Sequence, residues 1–195
     1  MKPEGEKFKS IASTGRVLFW KHGIKRVSIE EICQEAGVSK MTFYKHFRNK
    51  TELARHLLEE IFEAGMVAYK DILKRDVTYE EKARQIIAMK MGNLHGMSQE
   101  LIDDIYKNKD EELCQVVESI KNRVLEVYLE DFREAQHKGQ IRPELKPEFI
   151  VYFMNKFTEM ITDENLIKLY PDTEAMLSDV LGFFFYGIMA RRNES

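Results

Sequence analysis

The chain has 195 residues, 44% hydrophobic and 32% charged, the composition of a globular protein able to bury one ordinary core or two small ones. No Gly/Ser- or Pro-rich linker, repeat or low-complexity tract is present, Met1–Ser10 lacks the apolar core of a secretory signal, and Val180–Ala190, the longest apolar run, falls far short of the ~20 residues a membrane helix needs. Charge is uneven beneath the net −3: residues 1–56 hold 12 Lys/Arg against 6 Asp/Glu and the remainder 18 against 27, as expected for a polyanion-binding head on a body that stays off the polyanion.

Apolar residues recur at three-to-four spacing throughout, which predicts an all-α chain of about nine helices. The first carries Phe8, Ile11, Ala12, Gly15, Leu18 and Phe19 on one face and stops at Gly23. A second begins at Ser28, where Ser-Ile-Glu-Glu reads as a capping box closed by Glu31, and ends at Gly37. A short third helix runs from about Lys40 to Phe47, with Ser39 as its N-cap. Asn49 caps a fourth, continuing towards Ile72. Further helices are expected near Tyr79–Met97, Gln99–Tyr106, Glu111–Lys138, Pro147–Leu169 and Thr173–Arg192. The stops between them are Gly96, the Asn108 region, Gly139 with Pro143, and Pro171. The acidic run Asp110-Glu111-Glu112 suits the start of a helix.

Residues 28–47 meet the physical requirements of a helix-turn-helix. Two short helices that cross steeply need a small residue where they touch (Cys33), a glycine free to take positive φ (Gly37) and a buried apolar residue after it (Val38). Phe43 and Phe47, four apart, anchor the second helix inward. Its outer face is then Lys40, Met41, Thr42, Tyr44, Lys45 and His46, a mixture suited to phosphates and base edges.

These residues resemble the tetracycline-repressor family. The resemblance rests on Gly23-Ile24, Ser28-Ile29-Glu30-Glu31-Ile32-Cys33, Ala36 through Phe47, Asn49-Lys50 and Glu52-Leu53. It spans roughly residues 8–58. Beyond them only helical organisation and two phrases are similar, Gly139-Gln140-Ile141-Arg142-Pro143 and Phe183-Phe184-Phe185-Tyr186-Gly187. Cys33 stands where the family usually has Ala, and Met41 where Gly is common. The resemblance implies that Ser28, Tyr44 and Lys50 grip phosphates, and that Lys40, Met41, Thr42 and Lys45 face bases or adjacent backbone, joined by His46. Ser39, the N-cap between them, is counted with this DNA-binding set. Lys50 also occupies the first turn of its helix, where the macrodipole disfavours a cation and a nearby phosphate would relieve the misfit.

The resemblance further implies a DNA-binding domain at residues 1–50 and a helical ligand-binding and dimerisation domain at 51–195. The expected protein is a cytoplasmic homodimeric repressor on an inverted-repeat operator, released by a small, largely apolar molecule. The last two long helices are expected to pair with their symmetry mates through Leu177, Val180, Leu181, Phe184 and Phe185, with Gly182 and Gly187 permitting close approach. Ligand-lining candidates are Met89, Asn93, Tyr128, Phe132, Tyr152 and Asn155, because bundles build cavities between facing helices from such residues. A ligand-independent DNA-binding module whose second domain recruits a protein partner is the alternative. A closed apolar cavity would favour sensing, and a solid core with an exposed apolar patch would favour recruitment.

No nucleophile-and-base motif, phosphate loop or metal-ligand cluster points to an enzyme or a cofactor. His22, His46, His56, His95 and His137 have no ligand spacing. Cys33 and Cys114 have no partner motif, and both read as packing residues of a protein in a reducing compartment.

Overall fold

The computed structural model describes residues 5–107, 111–160 and 163–189. Within them the chain forms α1 (Glu6–His22), α2 (Ile29–Glu35), α3 (Lys40–His46), α4 (Lys50–Leu73), α5 (Tyr79–Leu94), α6 (Gln99–Tyr106), α7 (Glu111–His137), α8 (Pro147–Met160), α9 (Glu164–Ile167) and α10 (Thr173–Ile188). The chain is all-α, as its periodicity predicts.

Local chemistry sets most of the helix starts. Ser28 Oγ accepts the Glu31 amide at 3.1 Å, Ser39 Oγ the Thr42 amide at 3.1 Å, and Asn49 Oδ1 the Glu52 amide at 2.7 Å. Each such cap is worth ~1 kcal/mol. Thr78, Ser98 and Asp172 cap α5, α6 and α10 in the same way. One expectation fails here. The long helix predicted over residues 147–169 is divided before Asp163: α8 is described through Met160, and α9 is a separate four-residue turn. Asp163 accepts the amides of Asn165 and Leu166 at 2.8 and 3.1 Å, a local bond that competes with helix continuation. Ten helices therefore replace the expected nine among the described residues. The predicted stop near Asn108, the place of Asp110 and the extension of the last helix to Arg192 lie outside the described residues.

The chain divides into two compact units. The first comprises residues through Phe62 together with Gly96–Glu118. Its core gathers Ile11 and Phe19 of α1, Val27, Ile32 of α2, Phe43 of α3, Leu53 of α4, Leu101 of α6 and Leu113 of α7, each at most 1% exposed. Full burial of side chains this size stabilises by about 1.5–3 kcal/mol each. The Ser98 amide donates to the Trp20 carbonyl at 2.9 Å, tying the entry of α6 to the end of α1.

In the second unit α10 packs against α5. Met176, Leu177 and Val180 of α10 close a cluster with Met91, Met160, Leu166, Ile167 and Tyr170. The loop before α8 is fastened to the end of α10. The Arg142 amide donates to Ile188 O at 3.0 Å, its guanidinium to Gly187 O at 3.3 Å, and Ile141 pairs with Met189 in an isolated antiparallel bridge.

Candidate nucleic-acid interface

The turn between α2 and α3 is built as its sequence requires. Gly37 has φ +64°, the Gly37 amide donates to Gln34 O at 3.2 Å, and the Val38 amide donates to Cys33 O at 2.9 Å. Cys33 is buried at the crossing, and burial raises its thiol pKa, so it acts as a packing residue. Phe43 and Phe47 are buried, their ring centroids 5.8 Å apart, and Phe8 stacks on Phe47 at 5.1 Å. With this side of α3 locked inward, its other side is held rigidly outward.

That outer side matches the residues singled out from the sequence. Lys40, Met41, Tyr44, Lys45 and His46 are exposed, and Met41 reaches 68% and Tyr44 54%. The His46 ring meets Phe8 edge-on at 5.7 Å. Thr42 is half-buried, and its hydroxyl lies 3.0 Å from Ser39 Oγ, so capping already engages both side chains. Ser28 is exposed at the N-cap of α2. Lys40 is not a free cation: its ammonium pairs with the Glu30 carboxylate of α2. A hydrogen bond and charge from Lys40 lower the Glu30 pKa, and Glu30 raises that of Lys40.

Lys50 differs most from its expectation. Its ammonium donates to the carbonyls of Lys25 at 2.7 Å and Val27 at 3.0 Å. The first-turn misfit is thus relieved by the protein's own carbonyls. Burial lowers the Lys50 pKa, opposed by the charge of Asp104. Asp104 is itself buried; it accepts the Lys25 amide at 2.8 Å and lies 3.3 Å from the Lys25 ammonium. Arg48 pairs with Glu112 at 2.6 Å. Sequence reading missed the pairs Glu30–Lys40, Lys25–Asp104 and Arg48–Glu112. Their partners lie 10, 79 and 64 residues apart, and no local pattern encodes such separations.

The ligand candidates fall into different places. Tyr128 and Phe132 are buried on α7, and Met89 and Asn93 are half-buried on α5. Tyr128 OH accepts from the Lys90 ammonium at 2.8 Å, and the Tyr69 ring lies 4.7 Å from the Tyr128 ring. Nearby, Asp131 Oδ2 is buried without a hydrogen-bond partner among the described residues, and burial raises the Asp131 pKa. Tyr152 is not brought to this group: it is 59% exposed on α8, with the Lys156 ammonium 5.8 Å from its ring centre. The side chain of Asn155 lies outside the described residues. A groove of about 500 Å³ opens elsewhere in the unit, between Phe153, Met160, Leu166, Val180 and Phe183.

The expected sticky surface of α10 is also corrected. Leu177, Val180, Phe184 and Phe185 are buried within the chain itself, and Leu181 is half-buried. Among the described residues of α8 and α10, the exposed aromatics are Phe183 (78%) and Tyr186 on α10 and Phe149 and Tyr152 on α8. Cys114, expected in the core, is exposed: Leu113 points inward, and its neighbour lies a helical step of ~100° away. Among the described residues, no group of three or more His, Cys, Asp or Glu could hold a metal, and no helix is long and apolar enough to cross a membrane.

Residues 11–57 match the family model described as bacterial regulatory proteins, tetR family. The HTH-type transcriptional regulator TtgR of Pseudomonas putida is 26% identical over 175 residues, 83% of this chain and 80% of that protein. Among solved structures, the fatty acid degradation regulator FadR from Bacillus halodurans superposes with a TM-score of 0.75 at 20% identity, covering 97% of this chain and 100% of that one. FadR from Bacillus subtilis, solved in complex with stearoyl-CoA, gives 0.71 at 20% identity over 93% and 99%. These two likenesses establish the shared fold.

Proposed function

Because the chain belongs to the tetR family of bacterial regulatory proteins, we propose that it is a cytoplasmic repressor, released from its operator by a small molecule. It is a DNA-binding regulator, and α3 is the helix that enters the major groove. The observation that carries this reading is the pairing of buried Phe43 and Phe47 with exposed Met41 and Tyr44 on one short helix. Two large apolar side chains held outward together on one anchored helix suit a surface that covers them.

Residues 1–50 serve as the reading head and residues 51–195 as the sensing and dimerising part. Phe149, Tyr152, Phe183 and Tyr186 supply the contact between two copies, since bare aromatic faces of this kind mark interfaces. The likeness to a FadR that binds stearoyl-CoA supports a largely apolar ligand. The polar group formed by Tyr69, Lys90, Tyr128 and Asp131 would orient such a molecule. Ligand and DNA then oppose each other by one coupling energy, typically ~1–3 kcal/mol.

The test is a fluorescence-anisotropy titration of the protein with duplexes tiled across the DNA flanking its own gene. Tight binding to one inverted repeat, weakened by a molecule that also raises the melting temperature, is the expected result. A stabilising molecule that leaves DNA affinity unchanged would count against release by ligand.

A further inference from the structure

We propose that Glu30 is a specificity determinant of the reading head, a built-in competitor that withholds Lys40 from generic phosphate. The inference rests on the DNA-binding reading above and adds a residue that reading does not use. Glu30 is the second residue of α2 and Lys40 the first of α3, ten positions on, so the pair spans the turn of the motif. Both side chains are more than half exposed, at 61% and 54%, and Lys40 lies four residues from exposed Tyr44 on α3, one helical turn away. The pair therefore lies at the surface that meets the duplex.

A carboxylate there works against binding. DNA carries a dense line of negative charge, and a lysine that reaches a phosphate gains by releasing a condensed counterion. With Glu30 in place, Lys40 must first abandon its partner, and the bared carboxylate then faces the polyanion. Random DNA offers only phosphates in return, so this cost weighs most on non-specific complexes. An operator that presents an additional partner to Lys40, such as guanine O6 and N7, offsets it. Specificity gained by penalising wrong partners is a general route to discrimination. The same pair also relieves the unfavourable position of a cation in the first turn of α3, so the test must separate DNA discrimination from simple stabilisation.

Glu35, also exposed on α2, is the comparator, because E35Q removes the same charge and, among the described residues, no ion pair joins Glu35 to Lys40. The measurement is binding to a random-sequence duplex of about 30 base pairs between roughly 50 and 300 mM salt. E30Q is expected to steepen the slope of log affinity against log salt by about 0.9, equivalent to roughly eightfold tighter binding at 0.1 M salt. E35Q is expected to change the slope by clearly less. In a K40M background the excess of E30Q over E35Q should shrink, because only the repulsion of the bared carboxylate remains to be relieved. If E30Q equals E35Q in the native background, or keeps its full advantage without Lys40, the proposal is overturned while the DNA-binding reading stands. If E30Q lowers the melting temperature and leaves the slope unchanged, the pair is structural only, and the proposal likewise falls. If the native protein binds no duplex at any salt, the DNA-binding reading itself fails, and the inference goes with it.

Discussion

The backbone amide of Lys25 donates to the carboxylate of Asp104 at 2.8 Å, joining residues 79 apart in sequence. Gly23 lies against the same carboxylate, and Lys50 binds the Lys25 carbonyl, so one buried acid organises the loop that leads into α2. Asp104→Ala strands the Lys25 amide in a partly buried setting. A loss of about 1–3 kcal/mol is expected, read by urea unfolding. A loss below about 0.5 kcal/mol would mean that water replaces the carboxylate at no cost.

Gly23 and Gly37 both hold positive φ, at +78° and +64°, yet their surroundings differ. A Cβ on Gly23 would stand 2.7 Å from Asp104 Oδ2, whereas nothing lies within 4 Å of one on Gly37. Gly37→Ala should cost about 1–2 kcal/mol from backbone strain alone, and Gly37→Asn should recover most of it. Gly23→Ala should cost more and should not be rescued by Asn. Equal costs in thermal unfolding would show that the Asp104 contact relaxes freely.

The two faces of α3 should separate stability from binding. Met41→Ala and Tyr44→Ala are expected to stay within about 0.5 kcal/mol of native stability, as exposed positions do, while weakening duplex binding. Phe43→Ala should lose roughly 3–5 kcal/mol and binding together. Native affinity in both surface variants would remove α3 from the interface.

Adjacent residues of α10 should behave oppositely. Phe183 is 78% exposed and Phe184 3%. Phe183→Glu should leave the melting temperature of the monomer unchanged and shift sedimentation from dimer to monomer. Phe184→Ala should destabilise each copy by about 3–5 kcal/mol. A dimer that tolerates Phe183→Glu would place the interface elsewhere.

Asp131 should impose a pH dependence of a defined sign. Burial raises its pKa above the ordinary value of 3.8, so folding favours the protonated acid. Its stabilising effect is complete below the unfolded pKa and disappears as pH rises through the folded value. Asp131→Asn should therefore gain on the native protein at about pH 7, relative to the same comparison near pH 4. Denaturant midpoints of both proteins at the two pH values give the difference, and a difference independent of pH would mean that Asp131 is solvated in the fold.

The first unit was legible where its signals are local. Ser28, Gly37, Ser39 and Asn49 act on partners within a few residues, and the inward phase of Phe43 and Phe47 follows from a single spacing. α10 was not legible in the same way. Its segment Val180–Ile188 is apolar on every side, so periodicity cannot choose which face is buried: Phe184, expected at the contact between copies, is buried, and Phe183 beside it is exposed. The break between α8 and α9 turns on one aspartate, Asp163, in a run whose apolar spacing continues unaltered. Lys50 shows the same limit: its helix position is readable, but the carbonyls that receive it come from another part of the chain.

The fastening of Arg142 to Gly187 and Ile188 makes the ends of α8–α10 neighbours in space. A segment that enters and leaves at one place is a cassette: it can be exchanged whole at two cut points a few ångströms apart. Recombination between relatives at these points would carry the exposed aromatics of α8 and α10 together with the groove beside them in one event. The constraint inherited by any such exchange is narrow. The incoming segment must keep the face of α10 that meets α5 and the backbone pairing of residue 189 with Ile141.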